Sequence, residues 1–278
     1  MPDDYHQLLD ATIQHLETLK ARGVRHIKVA PENISALAQP APRLPATQPA
    51  AQQRTPASLP ESRPPAVVQP PESAKAAALA ELRARVMPCA KCAHLAASRK
   101  SVVFGVGDPE AGLMFVGEAP GADEDLQGEP FVGKAGELLT KIIVAMGLRR
   151  ETVYIANILK CRPDTPGQAS GNRKPTPAEM QTCIPYLHEQ IDIIKPQVLV
   201  ALGSTAAEGL MGAPVAIGKM RGHWQTFRGV PMMPTFHPAY LLRNQAPSEK
   251  RKVWEDMLAV MEKLGMPVSE KQRNYFKT

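Results

Sequence analysis

GLMFVGEAPGADEDLQGEPFVGKAG, residues 112–136, runs from an apolar segment into a loop rich in both glycine and acid. Leu113 to Val116 carry no polar interruption, as expected of a strand buried on both faces. A glycine-rich loop after such a strand usually points to phosphate, and GEPFVGKA (128–135) falls one residue short of a P-loop. The residue after the lysine is Ala135, so the hydroxyl that would ligate magnesium is missing, and Pro130 removes a backbone donor from the cradle. Glu118, Asp123, Glu124, Asp125 and Glu129 would repel a triphosphate. The loop instead offers backbone N–H groups from Gly117 to Gly121, carboxylates, and one aromatic ring, Phe131. That set suits a flat, neutral, hydrogen-bonding ligand such as a nucleobase, although by itself Phe131 reads rather as a core residue.

Three further apolar runs, 152–159, 197–202 and 230–236, read as strands. Helical patterns occupy 134–147, 177–194, 204–212 and 248–264. Thr176-Pro177-Ala178-Glu179 is a capping-box start with proline at the first helical position. This alternation predicts an α/β fold of three layers, α/β/α, with a central, mostly parallel four-stranded sheet. Ligands in such sheets sit beyond the carboxyl ends of strands, here the loops GEAPG, KCRPD, GSTA and HPAYLLRN.

Composition divides the 278 residues unevenly. Between Tyr5 and Phe104 there is no aromatic residue, and Pro31 to Ser73 is dominated by Pro, Ala, Gln and Ser. Such a stretch buries too little apolar surface to offset its ordering entropy. Residues 1–28 therefore read as a short amphipathic helix carrying Leu8, Leu9, Ile13, Leu16 and Leu19, which could dock a protein partner or simply fray. Residues 29–75 read as a disordered linker, and 76–278 as the folded domain. From Glu81 onward there are 25 Lys/Arg against 20 Asp/Glu, an excess that permits a polyanionic partner without demanding one. No segment approaches a membrane span, and the MPDDYHQ start lacks a secretory layout, so a cytosolic protein without membrane contact is expected.

In such a compartment the four cysteines are ligands or free thiols rather than disulfides. Cys89 and Cys92 form CAKC ahead of the sheet, Cys161 follows the second strand, and Cys183 lies in the helix after it. Two ligands from one tight turn and two from distant segments suit a tetrahedral metal or a cubane cluster, and spacing does not choose between zinc and iron–sulfur. At the end of the second strand, period-two alternation puts Asn157 on one face with Leu159 and Cys161. Its amide can donate and accept at once, as a uracil edge requires, or cap a neighbouring loop. His237 follows the last strand and precedes a proline, which argues against immediate helix formation. Tyr240, Leu241, Leu242 and Arg243 then make an apolar tip and a cation that could enter a base stack and hold a phosphate.

GEAPGADEDLQGEPFVGKAG, NILKCRP, NRKPTPAEMQTC, ALGSTAAEGL and TFHPAYLLRN, in this order, resemble the iron–sulfur-containing family 4 of the uracil-DNA glycosylase superfamily over about residues 85–265. The resemblance implies a [4Fe–4S] cluster on Cys89, Cys92, Cys161 and Cys183. It implies a flipped-out uracil stacked on Phe131, read by Asn157, and bonded at O2 by His237, with Gly117, Ala119 and Gly121 beside it. Glu118 falls in the first signature motif, Glu124 walls the C5 side, and Leu241, Leu242 and Arg243 match a minor-groove loop. The implied activity is hydrolysis of deoxyuridine in DNA by a monomer, with uracil-containing DNA as partner. A non-catalytic cluster-bearing DNA-binding protein and a zinc-stabilised nucleotide module are the rivals. Two departures stand out. Ala119 occupies the place where family 1 carries a water-positioning aspartate, and the loop CRPDTPGQASGNRKP is long but has no histidine for covalent trapping. Lys160 and Lys134 show no sign of the desolvation that a Schiff-base lyase would need.

Overall fold

The structure, a computed structural model, describes residues 73–163 and 173–277. The expected N-terminal helix, nearly all of the linker and the middle of the long loop (164–172) lie outside the described residues.

In chain order the elements are α1 (Ala74–Val86), α2 (Ala93–Ser98), β1 (Val106–Gly107), β2 (Leu113–Gly117), α3 (Ala122–Gln127), α4 (Lys134–Ala145), β3 (Tyr154–Asn157), α5 (Pro177–Ile194), β4 (Val198–Leu202), α6 (Ser204–Met211), α7 (Ile217–Met220), β5 (Gln225–Phe227), β6 (Val230–Thr235), α8 (Pro238–Arg243), α9 (Pro247–Lys263) and α10 (Glu270–Arg273). Helix α1 begins two residues inside the stretch assigned to the linker, where Ser73 Oγ accepts from Ala76 N at 3.1 Å and caps it.

The strand order is β1-β3-β2-β4-β6-β5. The four expected strands form the parallel centre. The sheet has six strands rather than four, because short antiparallel strands border it: β1 on β3 and β5 on β6. At two and three residues, these edges are too short to show a period in sequence.

Alternation within the strands sorts the core into two clusters. Met114, Val116, Leu199, Ala201 and Met232 meet α1, α5 and α6 through Leu82, Leu187, Ile191 and Ala207. Leu113, Phe115, Val198, Val200 and Met233 meet α4 and α9 through Leu139, Ile143, Trp254 and Met257. The result is the three-layer arrangement expected of a parallel sheet covered on both faces. The capping box at α5 is formed, with Thr176 N donating to Glu179 Oε2 at 2.7 Å and Glu179 N to Thr176 Oγ1 at 3.3 Å.

At the carboxyl end of β3 the alternation stops. Ile155 packs with the α4–α9 side and Ala156 with the α5 side, but Ile158, Leu159 and Cys161 all join the α5 side. The expectation that Asn157 shares a face with Leu159 and Cys161 is therefore corrected. The chain leaves regular strand geometry at Asn157, and the period-two rule no longer governs residues 158–161.

Candidate functional site

Two cavities adjoin at the carboxyl ends of the parallel strands. The smaller, about 140 Å³, is lined by Ala119, Gly121, Glu124, Phe131, Asn157 and His237. A cavity of about 150 Å³ holds benzene, so this volume suits one six-membered ring. The larger, about 450 Å³, shares Ala119 and His237 and adds Glu118, Arg173, Ser204, Tyr240 and Arg243.

Close packing at the first cavity explains several glycines of the opening stretch. A Cβ on Gly117 would lie 2.4 Å from Asn157 Oδ1 and 2.5 Å from the Phe131 ring, so only glycine admits both groups. Phe131 is buried and adopts φ +55°, a left-handed conformation that costs a non-glycine residue free energy. Three contacts hold it there. Gly136 leaves space for the Phe131 carbonyl, which a Cβ would meet at 1.8 Å. The Arg150 guanidinium donates to the Pro130 carbonyl. Glu124 accepts from Gly121 N at 3.0 Å, Val132 N at 3.0 Å and Gly133 N at 3.1 Å. Its carboxylate thus clamps both ends of the loop as well as lining the cavity. No sequence pattern points to Arg150, whose pairing reaches back twenty residues.

Asn157 is 2% exposed, and its Oδ1 has no hydrogen-bond partner among the described residues. A buried acceptor left open in this way is uncommon in a folded protein and marks a place for a ligand donor. Across the cavity, the rings of Phe131 and His237 lie 5.6 Å apart at 30°. His237 Nδ1 accepts from Ala239 N at 3.1 Å, so in the neutral ring the proton resides on Nε2, which becomes a donor. Desolvation, reinforced by the Arg243 cation, lowers the His237 pKa to about 4.

His237 is also the N-cap of α8, and Pro238 is its first residue. The expectation that proline would delay a helix is corrected. Proline constrains the residue before it to extended geometry (His237 has ψ 140°), while proline itself fits the first helical position. Behind His237, Thr235 Oγ1 donates to the buried Asp256 at 2.6 Å, and Arg221 Nε donates to the same carboxylate at 3.0 Å. Asp256 lies within a helix predicted from its apolar period, and nothing in that period marks it out.

Helix α8 also settles its own apolar tip. Leu242 is 38% exposed, whereas Leu241 is 4% exposed and packs inward. Only Leu242 can project as a wedge, since neighbouring helical positions point about 100° apart. Tyr240 stacks on Phe236 with centroids 4.6 Å apart and donates to Glu249 Oε2 at 3.0 Å; Arg243 is exposed beside the larger cavity. Glu118 makes no side-chain hydrogen bond or ion pair among the described residues, and Lys134 is exposed at the start of α4.

On the α5 side, Cys89 and Cys92 lie between α1 and α2, Cys161 follows β3, and Cys183 lies in α5; all four are free thiols. They interact electrostatically: Cys92 responds to Cys161 and Cys89, and Cys183 to Cys161 and Cys89. Arg99 Nη1 donates to Cys161 Sγ at 3.0 Å, and Lys160 N to Cys183 Sγ at 3.3 Å. Burial pushes the Cys183 thiol up to about 11. Among the described residues no three His, Cys, Asp or Glu side chains converge as a single-ion site. Lys160 is fully buried, and desolvation lowers its pKa to about 8. The sequence-based case against a Schiff base is corrected here: the desolvation exists, but Lys160 lines neither cavity.

A small ring-sized pocket, lined by a buried amide and an imidazole, thus lies at the carboxyl ends of parallel strands in a three-layer α/β fold. Residues 104–258 match the family model described as the uracil DNA glycosylase superfamily, and the chain belongs to that superfamily. Within it, the chain is 47% identical over 178 residues to a type-4 uracil-DNA glycosylase of Thermotoga maritima, covering 62% of this chain and 88% of the relative. It is 41% identical to the type-4 uracil-DNA glycosylase of Archaeoglobus fulgidus, covering 61% of this chain and 88% of that one. The Saccharolobus solfataricus type-4 enzyme matches at 41%, covering 64% and 83%. No described helix is long and apolar enough to cross a membrane.

Proposed function

We propose that this chain excises uracil from DNA as a monofunctional glycosylase, breaking the bond between uracil N1 and C1′ of the deoxyribose with water and leaving an abasic site. The observation that carries the proposal is the Asn157 Oδ1, open among the described residues, in a cavity of one-ring size that His237 also lines. Uracil N3–H would donate to that Oδ1 and uracil O4 would accept from the same amide. Cytosine presents the reverse pattern and would leave buried groups unpaired. Phe131 supplies the stacking face, and Glu124, immobilised by three N–H groups, supplies a wall that would oppose the C5 methyl of thymine.

As the N1–C1′ bond lengthens, its electron pair moves into the base and charge collects on O2. A neutral imidazole donating from Nε2 stabilises that charge without first surrendering a proton. Glu118, a lining residue of the adjoining cavity with no side-chain partner among the described residues, would offset the cationic sugar or hold the water that attacks C1′. Tyr240 and Arg243 line the same cavity and Leu242 is exposed between them in the chain, so a cation could meet phosphate there and Leu242 could fill the vacated stack.

The four cysteines suit a [4Fe–4S] cluster. They form an all-thiol set from three segments, lie within mutual electrostatic reach, and receive donors on Cys161 and Cys183. A cubane offers one iron to each thiolate, so its ligands need not close on a single point. When bound, the cluster would supply a covalent cross-link between the α1–α2 turn, the end of β3 and α5.

The test is incubation with a uracil-containing duplex, followed by alkaline cleavage of abasic sites. Scission at uracil but not at thymine or cytosine is expected. Retained DNA binding with no scission would instead identify a non-catalytic binding protein.

A further inference from the structure

Lys160 is the least expected residue of the core. At 1% exposed it meets no carboxylate among the described residues; the acidic group that acts on it is the Cys183 sulfur, and burying a cation remains costly. An aliphatic side chain would fill the same space without that penalty, so its partners are informative. Nζ donates to the main-chain carbonyl of Asn157 at 3.0 Å and to Gln190 Oε1 at 2.6 Å. Gln190 is equally buried in α5, and its Nε2 donates to Phe104 O at 3.0 Å and Tyr154 Oη at 3.1 Å. The lysine main chain is fixed as well: its N–H meets Cys183 Sγ at 3.3 Å and its carbonyl accepts from Val103 N at 2.8 Å.

Asn157 needs such an anchor. It is the last residue of β3, and β1 pairs that strand only at Tyr154 and Ile155. Past it, Ile158 and Leu159 still donate to Gly117 O and Glu118 O at 3.0 and 3.1 Å, which holds the β2 side alone. The opposite side is held by the ammonium of Lys160 folding back three residues.

We propose that Lys160 is the positioning residue for Asn157: it pins the peptide that carries the base-reading amide to α5 through Gln190. The inference rests on the reading of Asn157 as the residue that meets uracil. Lys160 touches no substrate. Its removal lets the amide reorient, which slows excision and weakens discrimination between uracil and cytosine while leaving the DNA contacts of α8 in place.

The experiment is a double-mutant cycle in the full chain. Lys160→Met should slow single-turnover excision from a U·G duplex by about tenfold or more, and in the Asn157→Ala background the same change should cost less than about threefold. Affinity for a duplex with a pre-formed abasic site should stay within about twofold of wild type, a split between chemistry and binding that a general loss of structure does not produce. If circular dichroism shows Lys160→Met unfolded, Gln190→Met carries the cycle, with a smaller loss and the same non-additivity. Wild-type rates in the folded variant, or losses that multiply in full with Asn157→Ala, overturn the proposal. A wild-type chain that leaves uracil in place overturns the functional reading instead, so the two failures are distinct.

Discussion

Asn157 and Cys161 are four residues apart, yet they serve opposite sides of the sheet. On the Phe131 side there is a ring-sized cavity with an acceptor unpaired among the described residues and an imidazole kept neutral by desolvation. On the α5 side there are four thiols, with a guanidinium and a peptide N–H aimed at two of the sulfurs. The first region is left incomplete in its polar contacts, which suits a ligand that arrives and departs. The second gathers segments far apart in sequence, which suits a permanent cross-link. The contrast teaches that one strand end can feed a cavity on one side of a sheet and a cysteine cluster on the other when its alternation breaks between them.

The comparison can be broken by mutation. Largest in effect on rate should be Asn157→Ala and His237→Ala. Each should cut single-turnover excision by about 10²–10³-fold, the usual loss for a donor aimed at developing charge, with little change in melting temperature. Cys161→Ser should show the opposite signature. Visible absorbance and melting temperature should fall together, and activity should be lost only as far as the fold is. If Cys161→Ser melts as wild type and keeps its colour, the stapling side of the comparison is wrong.

The two leucines of α8 provide the next test. Leu241→Ala should lower stability by about 2–5 kcal/mol, as for a buried leucine, measurable by chemical denaturation. Leu242→Ala should leave stability within about 0.5 kcal/mol and slow excision from duplex more than from single-stranded substrate. Reversed outcomes would reassign the wedge.

The smallest expected effect is in pH. His237 is held below its ordinary value, so the unfolded chain binds a proton there that the folded chain refuses between about pH 6.5 and 4. Its neutral form is fully compatible with folding above pH 6.5, and stability declines as pH falls through that window. Catalysis that needs the neutral ring should persist at pH 5.5 and fail only toward pH 4. A rate that halves near pH 6.5 would show that the ring titrates as in water. His237→Gln should flatten the stability profile over the same range.

Much of this was legible in the chain. The parallel strands were visible as apolar runs, α5 announced its start with a capping box, and Gly117, Phe131, Asn157 and His237 stood at strand ends or in the loops after them. Less could be read where a contact spans many residues or a period is interrupted. Arg150 on Pro130, Asp256 behind Thr235, and Gln190 on Lys160 carry no local pattern, because their pairing is made by packing. The choice between Leu241 and Leu242 needed the phase of a six-residue helix, and apolar residues side by side do not supply it.

Local physical chemistry therefore determined the layers, the strand-end loops and the cysteine count, since burial, capping and turn chemistry act over a few residues. Only the tertiary structure decided that Asn157 and Cys161 part company, that Nε2 of His237 is the donor, and that a buried lysine bonds the main-chain carbonyl of Asn157. Each of those depends on which distant groups exclude water from a given atom, and desolvation is a property of the assembled fold.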